Sequence, residues 1–258
     1  MSVPAEVVTF HRVLPGTIAP MRADRSALGT IPVAAYQYCE ALCSASAFGW
    51  YVFAPCDIAL RWNGADVLYR DGGRWRPLTS VVPPEFAALW DASCPPFAVG
   101  KAPPLLTALF VPGLVQIWSG YLVRTLPDWS VLVRPLVNCA HTHAFRTYEA
   151  IVETDTYGPW PLFINIQLIA TDIDIEIPRQ QPLFQVQQIP RPAYRHEGSG
   201  CTIHELFADA PGGGLSEADW QGYCRTVRAA DPVDDAHEVG QYAVGVRRRA
   251  KTAPDTTR

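Results

Sequence analysis

The stretches Phe163-Ile164-Asn165-Ile166-Gln167-Leu168 and Ile173-Asp174-Ile175-Glu176-Ile177 carry the clearest hydrophobic pattern in this chain. Isoleucine or leucine occupies every second position of both, and the residues between the isoleucines of the second stretch are acidic. Because successive side chains of a β-strand point to opposite faces, the alternation predicts strands with one buried face and one face in water.

Further candidate strands surround these two within residues 105–190. They are Leu114–Trp118, Tyr121–Thr125, Ser130–Arg134, Ala150–Glu153 and Leu183–Gln188, with the first stretch extended to Leu162–Leu168. Strands that recur every ~8–12 residues indicate a β-sandwich or β-barrel. The 24 prolines also disfavour a helical bundle. We therefore expect a mainly β fold with a few peripheral helices.

The segments on either side of this core are expected to belong to the same single domain, residues 1–258. Residues 1–104 form an N-terminal extension with a helix over Val33–Ala47 and a hairpin turn at Asn63-Gly64. Residues 191–258 form a polar tail of loop and helix, in which Ser216 is the N-cap and Asp219 completes a capping box.

Composition restricts the partners and the location that we expect. The net charge of −4 argues against a nucleic-acid partner. The most apolar run, Pro103–Val115, is far shorter than the ~20 residues of a membrane span, and no secretion signal is visible. We expect a cytoplasmic protein without membrane association. The sequence leaves open whether the protein forms a homo-oligomer. The seven cysteines contain no CxxC pair, so most are expected to be buried thiols.

Two carboxylates, Glu153 and Asp155, follow a predicted strand closely and are the candidate catalytic residues. A buried carboxylate is costly unless it is paired, and burial can raise its pKa so that it acts as a general base. Arg134 and Arg124 are candidate partners, and an ion pair across strands is the structural alternative. The candidate ligand-binding residues are Arg134, Asn138, Trp129 and Tyr157.

A metal site is the second candidate, at Cys139-Ala140-His141-Thr142-His143. On a strand, His141 and His143 would point to the same side, and Glu149, Glu153 or Asp155 would complete the ligands. The favoured alternative is that both histidines are exposed in a loop. A divalent metal is therefore possible but not favoured, and the cofactor is unknown. A weaker candidate is a Cys-His dyad of Cys201 with His196 or with His204-Glu205.

Four short stretches resemble a bacterial family of uncharacterised proteins, described only as a domain of unknown function. The stretches, within residues 35–192, are Tyr38-Cys39 with Ala47-Phe48-Gly49-Trp50, Arg61-Trp62-Asn63-Gly64, Gly120-Tyr121-Leu122-Val123-Arg124-Thr125 and Val152-Glu153-Thr154-Asp155. The resemblance names no activity. Some relatives look like members of specialised-metabolite gene neighbourhoods, which implies a biosynthetic role.

Residues 120–190 also resemble, more remotely, the β-barrel of dUTPases and dCTP deaminases, through Pro127–Asn138, Ala150–Gly158 and Pro178–Gln188. The resemblance implies that Arg134 stands near the phosphate-binding arginine. It also implies that Glu153 replaces the water-activating aspartate, with Asp155 as the second acid. The family's Ser-Gly after the arginine is Pro135-Leu136 here, and the leading glycine of its hairpin is Ala150. A chain with these changes could retain the barrel and lose the nucleotide chemistry.

Three hypotheses for the function follow. The first is a small-molecule enzyme of a bacterial biosynthetic pathway, with its pocket at the mouth of a β-barrel. In it, Glu153 is a base or anchor, and Arg134 holds an anionic group of the ligand. The second is an accessory protein that binds a small organic molecule or a partner without chemistry. The third is a mononuclear metal enzyme that uses His141 and His143.

Overall fold

The computed structural model describes residues 6–139, 144–195, 200–203, 215–226 and 241–252, and the structural statements below concern these residues. Most of their regular structure is β. The strands are β1 (Val8–Arg12), β2 (Met21–Arg22), β3 (Trp50–Phe53), β4 (Ile58–Trp62), β5 (Val67–Asp71), β6 (Arg74–Pro77), β7 (Ser80–Val81), β8 (Leu106–Ala108), β9 (Leu114–Thr125), β10 (Trp129–Arg134), β11 (Phe145–Thr147), β12 (Ala150–Val152), β13 (Trp160–Leu168), β14 (Ile175–Ile177) and β15 (Pro182–Pro190). The helices are α1 (Val33–Tyr38), α2 (Glu40–Ser46), α3 (Pro84–Ser93), α4 (Glu217–Thr226) and α5 (Gln241–Thr252), with 3-10 turns at Pro96–Ala98 and Arg191–Ala193.

The longest strand, β9, is the centre of a six-stranded antiparallel sheet. β13 pairs along one side of β9, whereas β8 and β1 pair with successive halves of the other side. The sequence predicts two strands here, and the structure has one. Gly120 lies where they meet, with a φ of +85° that glycine tolerates. Pairing with β13 continues past it, and its carbonyl accepts the N–H groups of Val13 and Leu14.

Two smaller antiparallel sheets complete the fold. Their strand orders are β12-β10-β15-β3-β2 and β14-β4-β5-β6. The hairpin predicted at Asn63-Gly64 joins β4 to β5, and the Asn63 side chain accepts the N–H groups of Ala65 and Asp66 at 2.9 and 2.6 Å. The mainly β class with a few helices is confirmed. No closed barrel is found among the described strands, so a site at a barrel mouth has no counterpart here.

One apolar core joins the three sheets. Ile164, Ile166 and Leu168 of β13 are fully buried in it, as their alternation predicts. Ile175 and Ile177 are also buried, although Ile173 precedes β14 and is half exposed. Strands from residues 1–104 belong to all three sheets and contribute residues to the same core. The core is therefore larger than the one predicted from the alternation within residues 105–190.

The helix predicted over Val33–Ala47 is two helices, which break at Cys39. The backbone of Cys39 has φ −112° and ψ 86°, outside the helical region. The apolar spacing that suggested one helix does not face the core, because Tyr38 and Leu42 are exposed, and the buried residues of α2 are Glu40, Cys43 and Ser46. The orientation of α2 therefore follows the burial of these three residues and not the spacing of its apolar residues.

The capping box predicted at the start of α4 is present. Asp219 N–H donates to Ser216 Oγ at 3.2 Å, and Ser216 N–H donates to Asp219 Oδ2 at 2.8 Å. The predicted end of this helix, near residue 229, lies outside the described residues. Within the described part of the chain, no helix has both the length and the hydropathy to cross a membrane.

Candidate functional site

Glu153 and Asp155 lie in the turn between β12 and β13, and both carboxylates are engaged by Arg191 of the 3-10 turn after β15. The Nη1 atom of Arg191 donates to Glu153, and its Nη2 atom donates to Asp155. Arg191 and Asp155 are almost fully buried, with side chains 9% and 11% exposed. Sequence reasoning missed this arginine, although a charged residue between Pro190 and Pro192 at the end of a predicted strand was a usable signal.

The Asp155 carboxylate is held in its charged form. Besides Arg191, the backbone N–H groups of Asp128 and Thr156 donate to it at 3.0 and 2.8 Å. Burial by itself would raise the pKa of Asp155, but these hydrogen bonds and the charge of Arg191 outweigh burial and lower the pKa. The pKa of Asp155 is thus shifted opposite to the rise by which burial could make a carboxylate a general base.

Glu153 has further neutral and charged neighbours. The Tyr194 hydroxyl donates to Glu153 at 3.3 Å and lies 2.8 Å from the hydroxyl of the buried Ser130, while Arg195 approaches Glu153 to 4.0 Å. We call Ser130, Glu153, Asp155, Arg191 and Tyr194 the Arg191 cluster. It joins β10, the β12–β13 turn and the end of β15, which matches the structural ion-pair alternative.

The predicted ligand-binding residues do not form one group with Glu153. Trp129 and Arg134 are at opposite ends of β10, about 17 Å apart at the usual rise of a strand. Arg134 donates to Glu149 at 3.1 Å rather than to Glu153. The Nδ2 atom of Asn138 donates to Ser46 Oγ at 3.0 Å and so fastens its own loop to α2. Tyr157 is in the β12–β13 turn with its side chain largely exposed.

His141 and His143 lie outside the described residues, as do His196, His204 and Glu205. Within the ranges that the structure describes, no group of three or more His, Cys, Asp or Glu side chains is placed to hold a metal ion. The metal site at His141 and His143 and the Cys-His dyad with Cys201 stay predictions from the sequence.

A cavity of about 670 Å³ lies between the edge strands β11 and β14. We call it the β11–β14 cavity. Its wall continues over the start of β15 and over two loops, residues 24–31 and 135–139. Most lining residues are apolar: Leu28, Pro135, Leu136, Ala144, Phe145, Ile169, Ile175, Ile177, Pro178, Pro182 and Leu183. The polar ones are Thr30, Cys139, Arg146, Thr147, Asp174, Glu176 and Gln181.

The loop 135–139 of this wall is fixed by hydrogen bonds to distant parts of the chain. Val137 N–H donates to the buried Gln185 side chain at 3.1 Å, and the Thr30 hydroxyl donates to the Asn138 carbonyl at 2.7 Å. The Cys139 thiol contacts the Ala27 carbonyl at 3.5 Å, and burial raises the pKa of this thiol. These contacts fasten residues 137–139 to β15 and to the loop 24–31, and Cys139 is a buried thiol with little tendency to ionise.

A second charged group, at Glu40, connects α2 with the C-terminal helix α5. Arg25 donates two hydrogen bonds to the buried Glu40 carboxylate at 2.6 and 2.8 Å, and Arg247 donates a third at 3.0 Å. The hydrogen bonds from Arg25 are the main reason that the pKa of Glu40 falls to about 2, with Arg247 adding to them against the opposing effect of burial.

This depressed pKa predicts acid sensitivity. A carboxylate with a pKa lower in the folded than in the unfolded chain stabilises the fold above the unfolded value of 4.5 and ceases to do so as the pH falls through about 2. We expect Glu40→Gln to lower the free energy of unfolding by about 2 kcal/mol at pH 7, the usual scale for hydrogen bonds to a charged group. The difference from the parent protein should shrink between pH 4.5 and 2.

Urea denaturation across this pH range measures the effect. Glu149→Gln is the matched control, because the Glu149 carboxylate is about half exposed and its pair with Arg134 should contribute less than about 1 kcal/mol. A Glu40→Gln protein whose deficit is the same at pH 7 and at pH 2 would contradict the assignment.

Protein-family models and curated proteins give no match on which a function for this chain could be based. No family model matches the chain, and no curated protein matches it either. The resemblances to a bacterial family of uncharacterised proteins and to the dUTPase barrel accordingly stay predictions from the sequence.

Proposed function

We propose that this chain is a small-molecule-binding protein and that the β11–β14 cavity is its binding site. The observation that carries the proposal is the cavity itself. Its volume of about 670 Å³ falls within the range of small-molecule sites, roughly 300–1,000 Å³. Its lining is mainly apolar with a few polar groups, which is the usual composition of a site that buries an organic molecule.

The hydrogen bonds of its wall support the same proposal. An open, apolar cleft is retained without a ligand only if the surrounding chain is held in place by other contacts. Here Gln185, Thr30 and Asn138 hold the loops of the wall, and Ile175 and Ile177 also pack in the core. A ligand would not have to order these loops when it binds, so little of the binding free energy would be lost to ordering.

The proposal corresponds to the accessory-protein hypothesis rather than to the enzyme hypothesis. Neither Glu153 nor Arg134 lines the cavity. The carboxylates of Glu153 and Asp155 both form ion pairs with Arg191, so both charges are already neutralised within the fold. The resemblance to proteins in biosynthetic gene neighbourhoods supports a role in which the ligand is carried or sensed within such a pathway.

The test is binding of N-phenyl-1-naphthylamine, a neutral apolar dye whose emission rises when it leaves water. We expect saturable binding of one dye per chain. Ile169 and Ile173 form a matched pair, because both isoleucines are about half exposed and both lie between β13 and β14, but only Ile169 lines the cavity. Ile169→Trp should weaken dye binding about tenfold, since overpacking a site costs about 1–3 kcal/mol. Ile173→Trp should leave it unchanged.

Circular dichroism and the urea midpoint establish that both variants are folded. Absence of saturable binding to the parent protein, or equal binding by the two tryptophan variants, would refute the cavity as the site.

A further inference from the structure

We infer that the ligand of the β11–β14 cavity is an organic anion with an apolar body, and that Arg146 binds its charged group. This inference rests on the proposed function, because it specifies the chemistry of the molecule in the same cavity. It follows from the balance of charges around the wall, where three ionisable side chains, Arg146, Asp174 and Glu176, accompany the apolar residues.

Both acidic residues are already neutralised from outside the cavity. Arg61 of β4 donates to Asp174 at 2.6 Å, and Arg70 of β5 donates to Glu176 at 2.9 Å. Neither Arg61 nor Arg70 lines the cavity, so these pairs lie along the adjoining face of the sheet β14-β4-β5-β6. The acids therefore offer little net attraction to a cationic ligand.

Arg146 differs because its polar contact is with a neutral group. Its Nη2 atom donates to the Tyr148 hydroxyl at 2.7 Å, and its guanidinium lies 5.1 Å from the centre of the Tyr148 ring. No carboxylate of the described residues forms an ion pair with Arg146. A guanidinium carries five N–H donors in a planar fork that fits a carboxylate, sulfonate or phosphate. The uncompensated charge of the wall is thus positive.

The apolar part of the ligand would contact the isoleucine and leucine side chains of the same wall. Ile169, Ile175 and Leu183 come from three different segments and line the cavity together with Arg146. A molecule that satisfies both features has one anionic end and a hydrocarbon or aromatic body. Simple inorganic anions would lack the apolar contacts, and neutral hydrocarbons would leave Arg146 without a charged partner.

A pair of dyes that differ by one anionic group tests this inference. N-Phenyl-1-naphthylamine is neutral, and 8-anilinonaphthalene-1-sulfonate is the same ring system with one sulfonate. We expect the sulfonate dye to bind about tenfold more tightly, the scale of one charge-assisted hydrogen bond at a partly exposed site. Arg146→Gln should abolish this preference, measured as the ratio of the two affinities in the same variant, and Arg146→Lys should retain part of it.

The control is Arg74→Gln, which removes an exposed arginine of β6 that does not line the cavity and should keep the full preference. Equal affinities for the two dyes, or a preference that persists in Arg146→Gln, would overturn the inference. Sulfonate binding that Ile169→Trp does not weaken would also overturn it, because the dye would then lie elsewhere. These failures are separate from failure of the proposed function, in which the neutral dye does not bind the cavity at all.

Discussion

Replacing Gly49 with alanine is expected to destabilise this protein strongly, because the added methyl group strains the backbone and clashes with a neighbouring strand. Gly49 connects α2 to β3 with a φ of +98°, and an added Cβ would lie 2.0 Å from the carbonyl oxygen of Val186 in β15. The unfavourable φ costs about 1–2 kcal/mol, and the forced shift of a central strand about 1–3 kcal/mol more. We expect a loss of about 2–5 kcal/mol in all, from these two sources.

Gly29→Ala is the control for this experiment. Gly29 has a similar φ of +80°, but no heavy atom lies within 4 Å of an added Cβ. It should therefore show only the conformational cost of about 1–2 kcal/mol. Urea unfolding followed by tryptophan emission compares the two variants, and similar losses in both would show that the contact with Val186 is not the cause.

Gln185→Leu is expected to have the second-largest effect, because one fully buried side chain holds three backbone groups. Its Nε2 atom donates to the carbonyls of Phe48 and Ser46 at 2.7 and 3.1 Å, and its Oε1 atom accepts the N–H of Val137. Leucine has a similar volume but satisfies none of them. At about 1 kcal/mol or more for each buried group without a partner, the loss is about 3 kcal/mol.

Gln187→Leu is the matched control on the same face of β15. Gln187 is also buried, and its side chain makes no hydrogen bond to the part of the chain that the structure describes, so its loss should stay below about 1 kcal/mol. Because Val137 lies in the loop 135–139, from which Pro135, Leu136 and Cys139 line the cavity, Gln185→Leu should in addition weaken binding of the neutral dye. A Gln185→Leu protein as stable as Gln187→Leu would show that the three hydrogen bonds are not the reason for the glutamine.

The features that the sequence predicted correctly depend on neighbours along the chain. The buried face of β13 follows from alternation within six residues, and the turn at Asn63-Gly64 follows from the chemistry of two. The capping box at Ser216 and Asp219 spans four residues. In each case the physical cause acts within the segment, so the residues alone were sufficient to predict the element.

The features that were missed depend on residues far apart in the chain. Helical spacing over Val33–Ala47 predicted one helix, but α1 ends at Tyr38 and the residues that α2 buries include Glu40 and Ser46. These two residues accept hydrogen bonds from Arg25 and Gln185, which lie in distant segments. The acids Glu153 and Asp155 were predicted to pair with Arg134 or Arg124. The arginine is Arg191, more than 30 residues away, and not Arg134 or Arg124.

The opening stretches show the same division. Their alternation by itself determined that β13 and β14 are strands with Ile164, Ile166, Ile175 and Ile177 inward, because burial of every second side chain is a property of the strand. Only the tertiary structure decided that the edge of β14 stands opposite β11 with a cavity between them. That cavity depends on how separate sheets pack against one another. Its wall also includes loops from residues 24–31 and 135–139, which are held by hydrogen bonds between residues far apart in the chain.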